Sequence, residues 1–334
     1  MNKLDQLFRY NELIASYNAT RSLSRSSPTP GVDGATFRSF DRNAGKNIRD
    51  LSREIRRRQY RHQQLRPFPV PKADGRVRWI CVPTHRDRLV QRVIQIECVE
   101  RYYARLDTGI SFGSFKFRPE HSDRNAISIA CSLKNQLPYV IATDISSFFD
   151  RIPRSIAKKE VRKVVRHSSL HWLFDQFIDA EIDADATMLR ELRKSGIQRG
   201  AGIRQGMPLS PLIAHIVLRE FDHFAAKLDA RILRYVDDIL ILAETDRQAK
   251  AAFNACKQWL GENRTGLDLP PIGDGKTIQI GPTESFNFLG LSIYQKHSGK
   301  WSKRVPDGTY ERIRARVSQK VPEDLSEAGP GAIV

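Results

Sequence analysis

The sequence predicts an α+β fold built around a ferredoxin-like sheet. The run PYVIATDISSFF at 138–149 is typical of a strand buried on both faces, and RILRYVDDILILAE at 231–244 predicts a hairpin with acidic residues at its turn. Amphipathic stretches at 210–228 and 245–263 predict helices, and SFNFLGLSIY at 285–294 predicts a closing strand. The resulting order β-α-β-β-α-β is the signature of a split-βαβ sheet.

Helical and hairpin patterns precede this sheet. Mixed apolar and polar spacing predicts helices over 1–22 and about 40–60, and apolar residues at i, i+3, i+4 and i+7 steps predict a helix over 86–106. Two β-rich runs surround the Asp74-Gly75 dipeptide, which is a strong signal for a short hairpin. A further helix is expected over about 122–135, after a loop.

Composition places the chain among globular proteins. It has 334 residues, 40% of them apolar and 9% aromatic, which is enough for a packed core and excludes wholesale disorder. No apolar run approaches the roughly 20 residues of a membrane span, and the N-terminal residues lack a signal-peptide pattern. Because the four cysteines are scattered singly without zinc spacing, we expect a cytoplasmic protein with no membrane partner.

Positive charge dominates the sequence: 55 Lys and Arg residues against 38 Asp and Glu give a net charge of +17. Such an excess suggests a polyanionic partner, because Lys and Arg gain affinity by releasing phosphate counterions. A solubilising surface is the alternative. Crowding of arginines in one stretch favours nucleic acid, since such a cluster repels itself unless a negative partner lies against it. The clustered residues are Arg53, Arg56, Arg57, Arg58, Arg61 and Arg66.

Three aspartates carry the strongest chemical signal. Asp237 and Asp238 interrupt an apolar run where a purely structural hairpin would favour Asn-Gly. A lone Asp-Asp turn is more often structural, but Asp144 ends another buried strand of the same predicted sheet. Asp144 and Asp237 could hold two Mg²⁺ ions roughly 3.5–4 Å apart, the arrangement used for in-line phosphoryl displacement. Oxygen-only ligands favour Mg²⁺ over zinc.

At these residues the chain resembles the reverse transcriptases, whose Y-x-D-D hairpin is similar to the segment ending at Asp238. The similar segments occur in the order of the family and cover about residues 29–291. Those near the N-terminus resemble bacterial group II intron-type enzymes in particular. The segments are Thr29-Pro30-Gly31-Val32-Asp33-Gly34, Pro71-Lys72 to Arg78, Pro83 with Arg86-Asp87-Arg88, Asp144 to Phe149, Gln205-Gly206 with Ser210-Pro211, Tyr235 to Asp238, and Phe288-Leu289-Gly290.

The resemblance implies a metal-dependent catalytic centre. Asp144 and Asp237 would ligate two Mg²⁺ ions, for which Mn²⁺ is expected to substitute, with Asp238 a weaker ligand and Ile145 a further metal-binding position. Lys276 lies in the region where polymerases often place a lysine that protonates the leaving pyrophosphate. The alternative for Lys276 is a solvated loop lysine.

Substrate positions follow from the same resemblance. Lys72 and Arg78 on the predicted hairpin would clamp the triphosphate of a dNTP, and solvated hairpin charges are the alternative. Gln205 and Gly206 precede the long helix at 210–228 and would lie against the nascent base pair. Glycine at this position would allow a close approach of the backbone.

A steric filter for the sugar is implied at Phe149, five positions after Asp144. The family places an aromatic residue there that excludes a ribose 2′-hydroxyl. By composition alone, Phe148 and Phe149 would both be core residues. Because neighbours in a strand face opposite sides, we expect Phe148 to pack in the core and Phe149 to face the sugar.

The resemblance implies a right-hand polymerase whose palm contains the predicted sheet. Such a polymerase holds the template-primer duplex between fingers and thumb, with the carboxylates in the palm. Here the thumb would be reduced to one helix within 301–325. The expected domains are fingers at 1–137, a palm at 138–296 with a helical insertion near 155–204, and a thumb at 297–334.

A short thumb predicts a partner. Arg312 and Arg316 lie at helical spacing and would contact nucleic acid, but one helix is small for closing a channel alone. We therefore expect a structured non-coding RNA as template, with a second protein subunit or self-association as the next choice. About 44 residues follow Gly290, too few for a three-helix thumb with maturase and endonuclease regions. In this respect the chain resembles short stand-alone bacterial enzymes, including retron-type enzymes and those of antiviral defence systems.

The implied reaction is RNA-directed DNA synthesis, in which a primer 3′-hydroxyl attacks the α-phosphate of a dNTP. Positioning and metal electrostatics would supply most of the catalysis. The alternatives are an RNA-synthesising or template-independent nucleotidyltransferase of the same palm fold, and a catalytically silent nucleic-acid-binding relative. Phe149 argues against ribonucleotides, and three intact aspartates argue against a silent relative.

Overall fold

The computed structural model combines helices with sheets, as the α+β prediction requires. Within its described part, the strands form a two-stranded hairpin, a three-stranded sheet and a five-stranded sheet. Every helix in that part is too short or too polar to traverse a lipid bilayer. The described residues are 2–25, 29–71, 75–113, 119–263, 265–306 and 308–309.

The chain before the first strand is helical but more broken than predicted. The helix expected over 1–22 divides at Phe8, whose backbone N–H donates to the Leu4 carbonyl at 3.0 Å and ends the first segment. The helix expected over 40–60 divides at Asn43, which ends one helix and precedes the next. The four helices are α1 (Lys3–Leu7), α2 (Tyr10–Arg25), α3 (Phe37–Arg42) and α4 (Ala44–Arg56).

The predicted hairpin around residues 74–75 is confirmed as β1 (Arg66–Pro71) and β2 (Val77–Val82), which pair antiparallel. Three prolines alternate along β1, and such residues are confined to edge strands because proline has no N–H to donate. The predicted long helix follows as α5 (His85–Leu106). Thr84 caps it by accepting a hydrogen bond from the Asp87 N–H at 3.3 Å.

The five-stranded sheet confirms the predicted β-α-β-β-α-β order. Its strands are β3 (Ser111–Phe112), β4 (Tyr139–Asp144), β5 (Arg231–Tyr235), β6 (Asp238–Ala243) and β7 (Ile278–Ile280). They lie in the order β3-β5-β6-β4-β7. β4 is antiparallel to both of its neighbours, whereas β3 is parallel to β5. Without β3, this is the strand order of a ferredoxin-like sheet.

Two strands of this sheet differ from the prediction. The closing strand is β7, and the segment 285–294 belongs to another sheet, so that part of the prediction is wrong. β7 has only three residues, two of them exposed, and therefore carries little apolar pattern. β3 lies in a segment predicted as a loop and pairs with β5 over only two residues.

The predicted strand over 285–294 is in fact two strands, β8 (Phe286–Phe288) and β9 (Leu291–Gln295), which pair antiparallel. The chain reverses at Leu289 and Gly290, whose φ angles are 50° and 79°. Glycine adopts such angles readily, and this makes a tight reversal possible inside an otherwise continuous apolar run.

A third strand, β10 (Trp301–Arg304), completes this small sheet by pairing with β9. The helix predicted within 301–325 is therefore wrong at its start, and residues 310–334 lie outside the described part. The small sheet is tied to the central one by Lys134, whose Nζ donates to the carbonyls of Pro138 and Gly281 at 2.5 and 2.7 Å. The same ammonium lies 4.9 Å from the centre of the Trp301 ring.

Helices cover both faces of the central sheet. The segment predicted as a helical insertion holds three α-helices joined by short connections, one of them a 3₁₀ turn at Ser168–Leu170. A second 3₁₀ turn at Pro119–His121 precedes the predicted helix near 122–135. The helices are α6 (Asp123–Lys134), α7 (Phe148–Arg151), α8 (Arg154–Val164), α9 (His171–Ile178), α10 (Ala186–Lys194), α11 (Ser210–Ala225) and α12 (Asp246–Glu262).

The core lies on the two faces of the central sheet, and β4 confirms the predicted burial of both. Val140 packs with Leu240 and residues of α6 on one face, whereas Ile141 packs with Ile239 and residues of α11 and α12 on the other. Each of these four side chains is at most 1% exposed. Successive strand residues point to opposite faces. The burial of these apolar side chains therefore determines to which face every other residue of β4 and β6 points.

Candidate active site

Two strand ends bring the three predicted carboxylates to one edge of the central sheet. Asp144 ends β4 and lies opposite Asp238, the first residue of β6. Asp237 occupies the turn between β5 and β6, and its carbonyl oxygen accepts a hydrogen bond from the Ile145 N–H at 3.0 Å. Because Cα atoms of directly opposed residues in an antiparallel pair lie about 4.5–5.5 Å apart, the carboxylates share one region.

The turn that carries Asp237 has an unusual backbone. β5 ends at Tyr235 and β6 begins at Asp238, so Val236 and Asp237 form a two-residue hairpin turn. Val236 has a φ of 57°, in the left-handed region that β-branched residues rarely adopt. The turn therefore needs support from its surroundings to keep this shape.

Burial and mutual repulsion disfavour the charged forms of these carboxylates. Burial raises the pKa of Asp238 to about 7, and the neighbouring charges of Asp237 and Asp144 add to the rise. The pKa of Asp237 is also raised, chiefly by burial and further by Asp144. The guanidinium of Arg78 acts in the opposite direction on both groups. A bound cation would relieve the same repulsion.

One carboxylate oxygen at this edge has no hydrogen-bond partner among the described residues. Asp144 Oδ1 is buried and receives no hydrogen bond from any described residue, whereas Asp144 Oδ2 lies 3.4 Å from Lys276 Nζ. Buried polar atoms normally have a partner, so a cation would suit Oδ1. Among the described residues, no three His, Cys, Asp or Glu side chains already converge as a preformed metal centre. The case for Mg²⁺ therefore rests on the oxygen ligands that the aspartates offer. Ile145 has an apolar side chain and could add only its backbone carbonyl.

Asp144 and Asp237 line a cleft of about 530 Å³ between the β1–β2 hairpin and the central sheet. Arg78 lines this cleft from β2, and Lys276 lines it from the loop before β7. Lys276 and Asp144 form an ion pair whose side chains are each about one-third exposed, at 36% and 33%. The structure therefore brings Arg78 and Lys276, two of the three predicted cations, to the same space as Asp144 and Asp237.

The two phenylalanines after Asp144 do not lie in a strand. Both belong to the short helix α7, so the alternation argument used to separate them is wrong. Phe148 is 2% exposed, as expected of a core residue, and Phe149 is half-buried. Of the two, Phe148 lines the cleft and Phe149 does not, so the role of Phe149 at the sugar stays a prediction. The Phe149 carbonyl accepts a hydrogen bond from the Ile203 N–H at 2.7 Å, which joins α7 to the loop before α11.

Gln205 and Gly206 lie where the loop before α11 meets the hairpin. The Cys81 N–H of β2 donates to the Gln205 carbonyl at 2.7 Å, and Gln205 lines the cleft. A Cβ added to Gly206 would lie 2.7 Å from the Cys81 carbonyl oxygen, and the φ of Gly206 is 101°. Gly206 thus lies close to the backbone of β2, and its predicted place against the nascent base pair stays a prediction.

The predicted arginine cluster lies outside the cleft. Arg53 and Arg56 are in the last turn of α4, where they pair with Asp50 at 3.4 Å and Asp5 at 3.6 Å. Such exposed pairs contribute about 0–1 kcal/mol, so both side chains can exchange partners. The other members proposed for nucleic-acid binding, all exposed and C-terminal to α4, are Arg57, Arg58 and Arg61.

Three predicted binding positions lie outside the described residues. Lys72 belongs to the connection between β1 and β2, and Arg312 and Arg316 belong to the segment after residue 309. The phosphate contact of Lys72 remains a prediction from the resemblance, and the nucleic-acid contacts of Arg312 and Arg316 remain predictions from their helical spacing.

Sequence reasoning missed two features of the site. Trp79 of β2 donates from Nε1 to Ser195 Oγ at 2.9 Å, and both residues line the cleft. Beneath the turn, Arg234 and Asp222 form an ion pair in which both side chains are 0% exposed. A charged residue inside the apolar run RILRY was the available signal for Arg234, but spacing alone could not pair it with an aspartate on α11.

Comparison with known proteins decides the family. The profile of the family described as reverse transcriptase (RNA-dependent DNA polymerase) matches residues 70–293, more than half of the chain. The chain belongs to the reverse transcriptase family. The matched region of this reverse transcriptase homologue includes the three carboxylates, strand β2 and the loop before α11, so the predicted resemblance and fold class are confirmed.

Similar proteins include bacterial members of the family. Protein YkfC of Escherichia coli K12 is 29% identical to this reverse transcriptase homologue over 356 residues, covering 91% of this chain and 86% of YkfC. The group II intron-encoded protein LtrA of Lactococcus lactis is 23% identical, covering 84% of this chain and 46% of LtrA. The chain thus spans most of YkfC but less than half of LtrA.

Among solved structures, the apo telomerase of Candida tropicalis matches with a TM-score of 0.53 and 14% identity. The match covers 73% of this chain and 48% of the telomerase chain. At this identity the likeness shows a shared fold and nothing of substrate or partner. It supports the polymerase fold that the family match already indicates.

Proposed function

We propose that this protein is an RNA-directed DNA polymerase that extends a primer 3′-hydroxyl with dNTPs by metal-assisted phosphoryl transfer. The observation that carries the proposal is the placement of Asp144, Asp237 and Asp238 at one sheet edge, where Asp144 and Asp237 line a cleft together with Arg78 and Lys276. Phosphoryl transfer needs little covalent chemistry from a protein, so carboxylates for metal ions and cations for phosphates are the required parts.

Asp144 and Asp237 are the side chains proposed to hold two Mg²⁺ ions, with Asp238 and the Ile145 carbonyl as further ligands. When bound, such ions activate the attacking hydroxyl and stabilise charge on the phosphoryl group. Asp144 Oδ1, which has no hydrogen-bond partner among the described residues, and the raised pKa values of Asp237 and Asp238 support this assignment. A bound cation would pair with that oxygen and would lower both pKa values. Mn²⁺ is expected to replace Mg²⁺ at oxygen ligands.

Two cations would serve the triphosphate. Arg78 presents a planar guanidinium in the cleft, whose donors suit phosphate oxygens, and Lys72 would add a point charge from the same hairpin. Lys276 is proposed to give a proton to the departing pyrophosphate, since an ammonium within reach of the reacting phosphate can act as a general acid. Its position beside Asp144 supports that role.

Selection of the sugar and of the base pair is proposed for three further residues. Phe149 would oppose a ribose 2′-hydroxyl, although reaching the sugar requires the half-buried ring to border the cleft when substrate is bound. Gln205, which lines the cleft, would lie against the nascent base pair. Gly206 would hold that loop close to β2, which keeps Gln205 in place.

Nucleic acid is the proposed partner, on the strength of the net charge of +17 and the exposed arginines Arg53 to Arg61. We propose a structured non-coding RNA as template, with a second protein subunit or self-association as the alternative arrangement. In this scheme the hairpin and β3 belong to fingers at 1–137, and the other four strands of the central sheet belong to a palm at 138–296. A bacterial retroelement or an antiviral defence system is the proposed biological setting.

Primer extension with the purified protein tests the proposal. An RNA template with a DNA primer, dNTPs and Mg²⁺ should give extension that EDTA abolishes. A DNA template, no template, and NTPs in place of dNTPs are the comparison reactions. Extension without template, or with NTPs alone, would favour a different nucleotidyltransferase. Nucleic-acid binding with no incorporation in any reaction would point to a catalytically silent relative.

The template can be sought in the same preparation. RNA that copurifies with the protein, and any DNA made when dNTPs are added, should share sequence if that RNA is copied. Unrelated sequences in the RNA and the DNA product would show that the bound RNA is not the template.

A further inference from the structure

A buried guanidinium supports the turn that carries Asp237. Arg234 is 0% exposed, and its Nη1 donates a hydrogen bond to the Val236 carbonyl oxygen at 2.8 Å. That carbonyl belongs to the peptide group linking Val236 to Asp237, and peptide groups are planar. A hydrogen bond that holds the carbonyl oxygen therefore also holds the N and Cα atoms of Asp237, which lie in the same plane.

The guanidinium is itself held in one orientation. Its Nε donates to Asp222 Oδ1 at 2.6 Å, and its Nη2 donates to Asp222 Oδ2 at 2.5 Å. Asp222 Oδ2 also accepts a hydrogen bond from Thr108 Oγ1 at 3.1 Å. A bidentate pair of this kind fixes direction as well as distance. The Asp222 carboxylate on α11 thus determines where Nη1 of Arg234 points.

A buried histidine closes the network. His215 Nε2 lies 2.6 Å from the Leu106 carbonyl, which can only accept, so this nitrogen carries the proton. Nδ1 of the neutral ring is then an acceptor, and it lies 3.2 Å from Ser111 Oγ and 3.4 Å from Arg234 Nη2. Burial and the charge of Arg234 lower the pKa of His215 to about 4, which keeps the ring neutral. A fully bonded buried network of this kind is rigid.

We propose that Arg234 is a positioning residue, which holds the Val236–Asp237 peptide so that the Asp237 carboxylate faces Asp144. The inference rests on the proposed function, because the catalytic role of Asp237 is itself proposed. Val236 adopts a φ of 57°, which a β-branched residue leaves unless the surroundings prevent it. The hydrogen bond from Arg234 opposes that relaxation without any contact between Arg234 and substrate.

The test compares Arg234→Lys with the wild type and with Lys134→Met. Lysine keeps the charge but carries its donors on a single nitrogen, so it cannot reproduce the planar bidentate pair with Asp222 and the separate hydrogen bond to the Val236 carbonyl. Lys134 is a second buried cation, 1% exposed, and it binds the Pro138 carbonyl at the opposite end of β4 from Asp144. Lys134→Met therefore controls for the loss of a buried cation as such.

Three quantities are measured for each variant: the thermal midpoint of unfolding, kcat and KM for dNTP incorporation per folded molecule, and Mn²⁺ affinity by electron paramagnetic resonance. For Arg234→Lys we expect kcat to fall at least tenfold with KM changed less than twofold. Mn²⁺ affinity should fall at least tenfold. Lys134→Met should unfold at a lower temperature with kcat and Mn²⁺ affinity within twofold of wild type.

Asp222→Asn weakens the bidentate pair from the other side and should show the same losses of kcat and Mn²⁺ affinity as Arg234→Lys. If Arg234→Lys does not fold, Asp222→Asn takes its place in the comparison.

The outcomes separate this inference from the proposed function. If Arg234→Lys keeps kcat and Mn²⁺ affinity within twofold of wild type, Arg234 only stabilises the fold and the inference is wrong. If the wild type incorporates no nucleotide but Arg234→Lys still weakens Mn²⁺ binding, the proposed function fails and the positioning role stands. A wild type that neither incorporates nucleotide nor binds Mn²⁺ contradicts both.

Discussion

Asp144 and Asp238 lie directly opposite each other in the antiparallel register of β4 and β6. The same register pairs Tyr139 with Ala243 at the far end of the two strands. A slip by one residue would move every side chain of one strand to the opposite face of the sheet. The apolar residues that bury both faces of β4 therefore also place the carboxylates, so the core and the candidate active site are specified together.

Replacing Asp238 with Asn should make the metal-free protein more stable at pH 8. The pKa of Asp238 is raised to about 7 in the folded state from 3.8, so the carboxyl is neutral at low pH and unfavourable to the fold once it ionises. Stability is thus lost as pH rises from about 4 through about 7. Urea unfolding in EDTA should show a gain of about 1–3 kcal/mol for Asp238→Asn at pH 8.

The gain should shrink at pH 5, where the carboxyl of the folded wild type is mostly protonated. Asp183→Asn, at an exposed position, is the control for removing a carboxylate elsewhere. If Asp238→Asn raised the free energy of unfolding by the same amount at pH 5 and at pH 8, ionisation of Asp238 would not be the cause of the gain.

Replacing Phe149 with Ala should increase the use of ribonucleotides. If the ring excludes a 2′-hydroxyl, its removal raises the ratio of NTP to dNTP incorporation by on the order of 10²-fold. Competition between labelled NTPs and dNTPs in primer extension measures this ratio. Phe174→Ala is the matched control, because Phe174 in α9 is a core residue at 0% exposure and does not line the cleft. It should cost about 3–5 kcal/mol of stability and leave the ratio unchanged. An unaltered ratio in Phe149→Ala would place the sugar filter elsewhere.

Replacing Lys276 with Met should slow incorporation with little effect on the fold. Its ion pair with Asp144 is partly exposed and contributes about 0–1 kcal/mol to stability. Loss of a general acid lowers kcat by on the order of 10²-fold. Single-turnover incorporation measures that step, and Lys296→Met, at an exposed position between β9 and β10, is the control. Equal rates for the two variants would rule out proton donation by Lys276.

Replacing Gly206 with Ala should cost more stability than the same change at Gly200. Both glycines have positive φ, 101° and 77°, so both changes strain the backbone. Only at Gly206 would the new Cβ meet an obstacle, the Cys81 carbonyl at 2.7 Å, whereas nothing lies within 4 Å at Gly200. We expect Gly206→Ala to cost about 1–3 kcal/mol more in urea unfolding. Equal costs would mean that the loop can move away from β2.

The central sheet and the three carboxylates could be predicted because their signals are local. Long apolar runs identify β4, β5 and β6, and acidic residues at strand ends are visible against that background. The parts that were missed depend on contacts remote in sequence. β3 has two residues and exists because it pairs with β5. β7 has three residues and is recognised only through its pairing with β4.

Other errors arose from turns and from helix ends. The reversal at Leu289 and Gly290 divides a run that reads as one strand, because apolar residues continue on both sides of the turn. Phe148 and Phe149 were assigned to a strand, whereas α7 begins there after Ser147, whose φ is 48°. The ion pair of Arg234 and Asp222 joins a strand to a helix, and no spacing in the sequence indicates it.

Incorporation by Asp237→Asn is the most direct measurement of whether this sheet edge is a catalytic centre. The amide has nearly the same volume as the carboxylate but no charge, so we expect Mg²⁺-dependent extension of a primed RNA template to be abolished. The thermal midpoint and the affinity for RNA should stay close to those of wild type, and Asp183→Asn should extend normally. Extension by Asp237→Asn at a rate near that of wild type would contradict the assignment of Asp237 and, with it, the proposed polymerase.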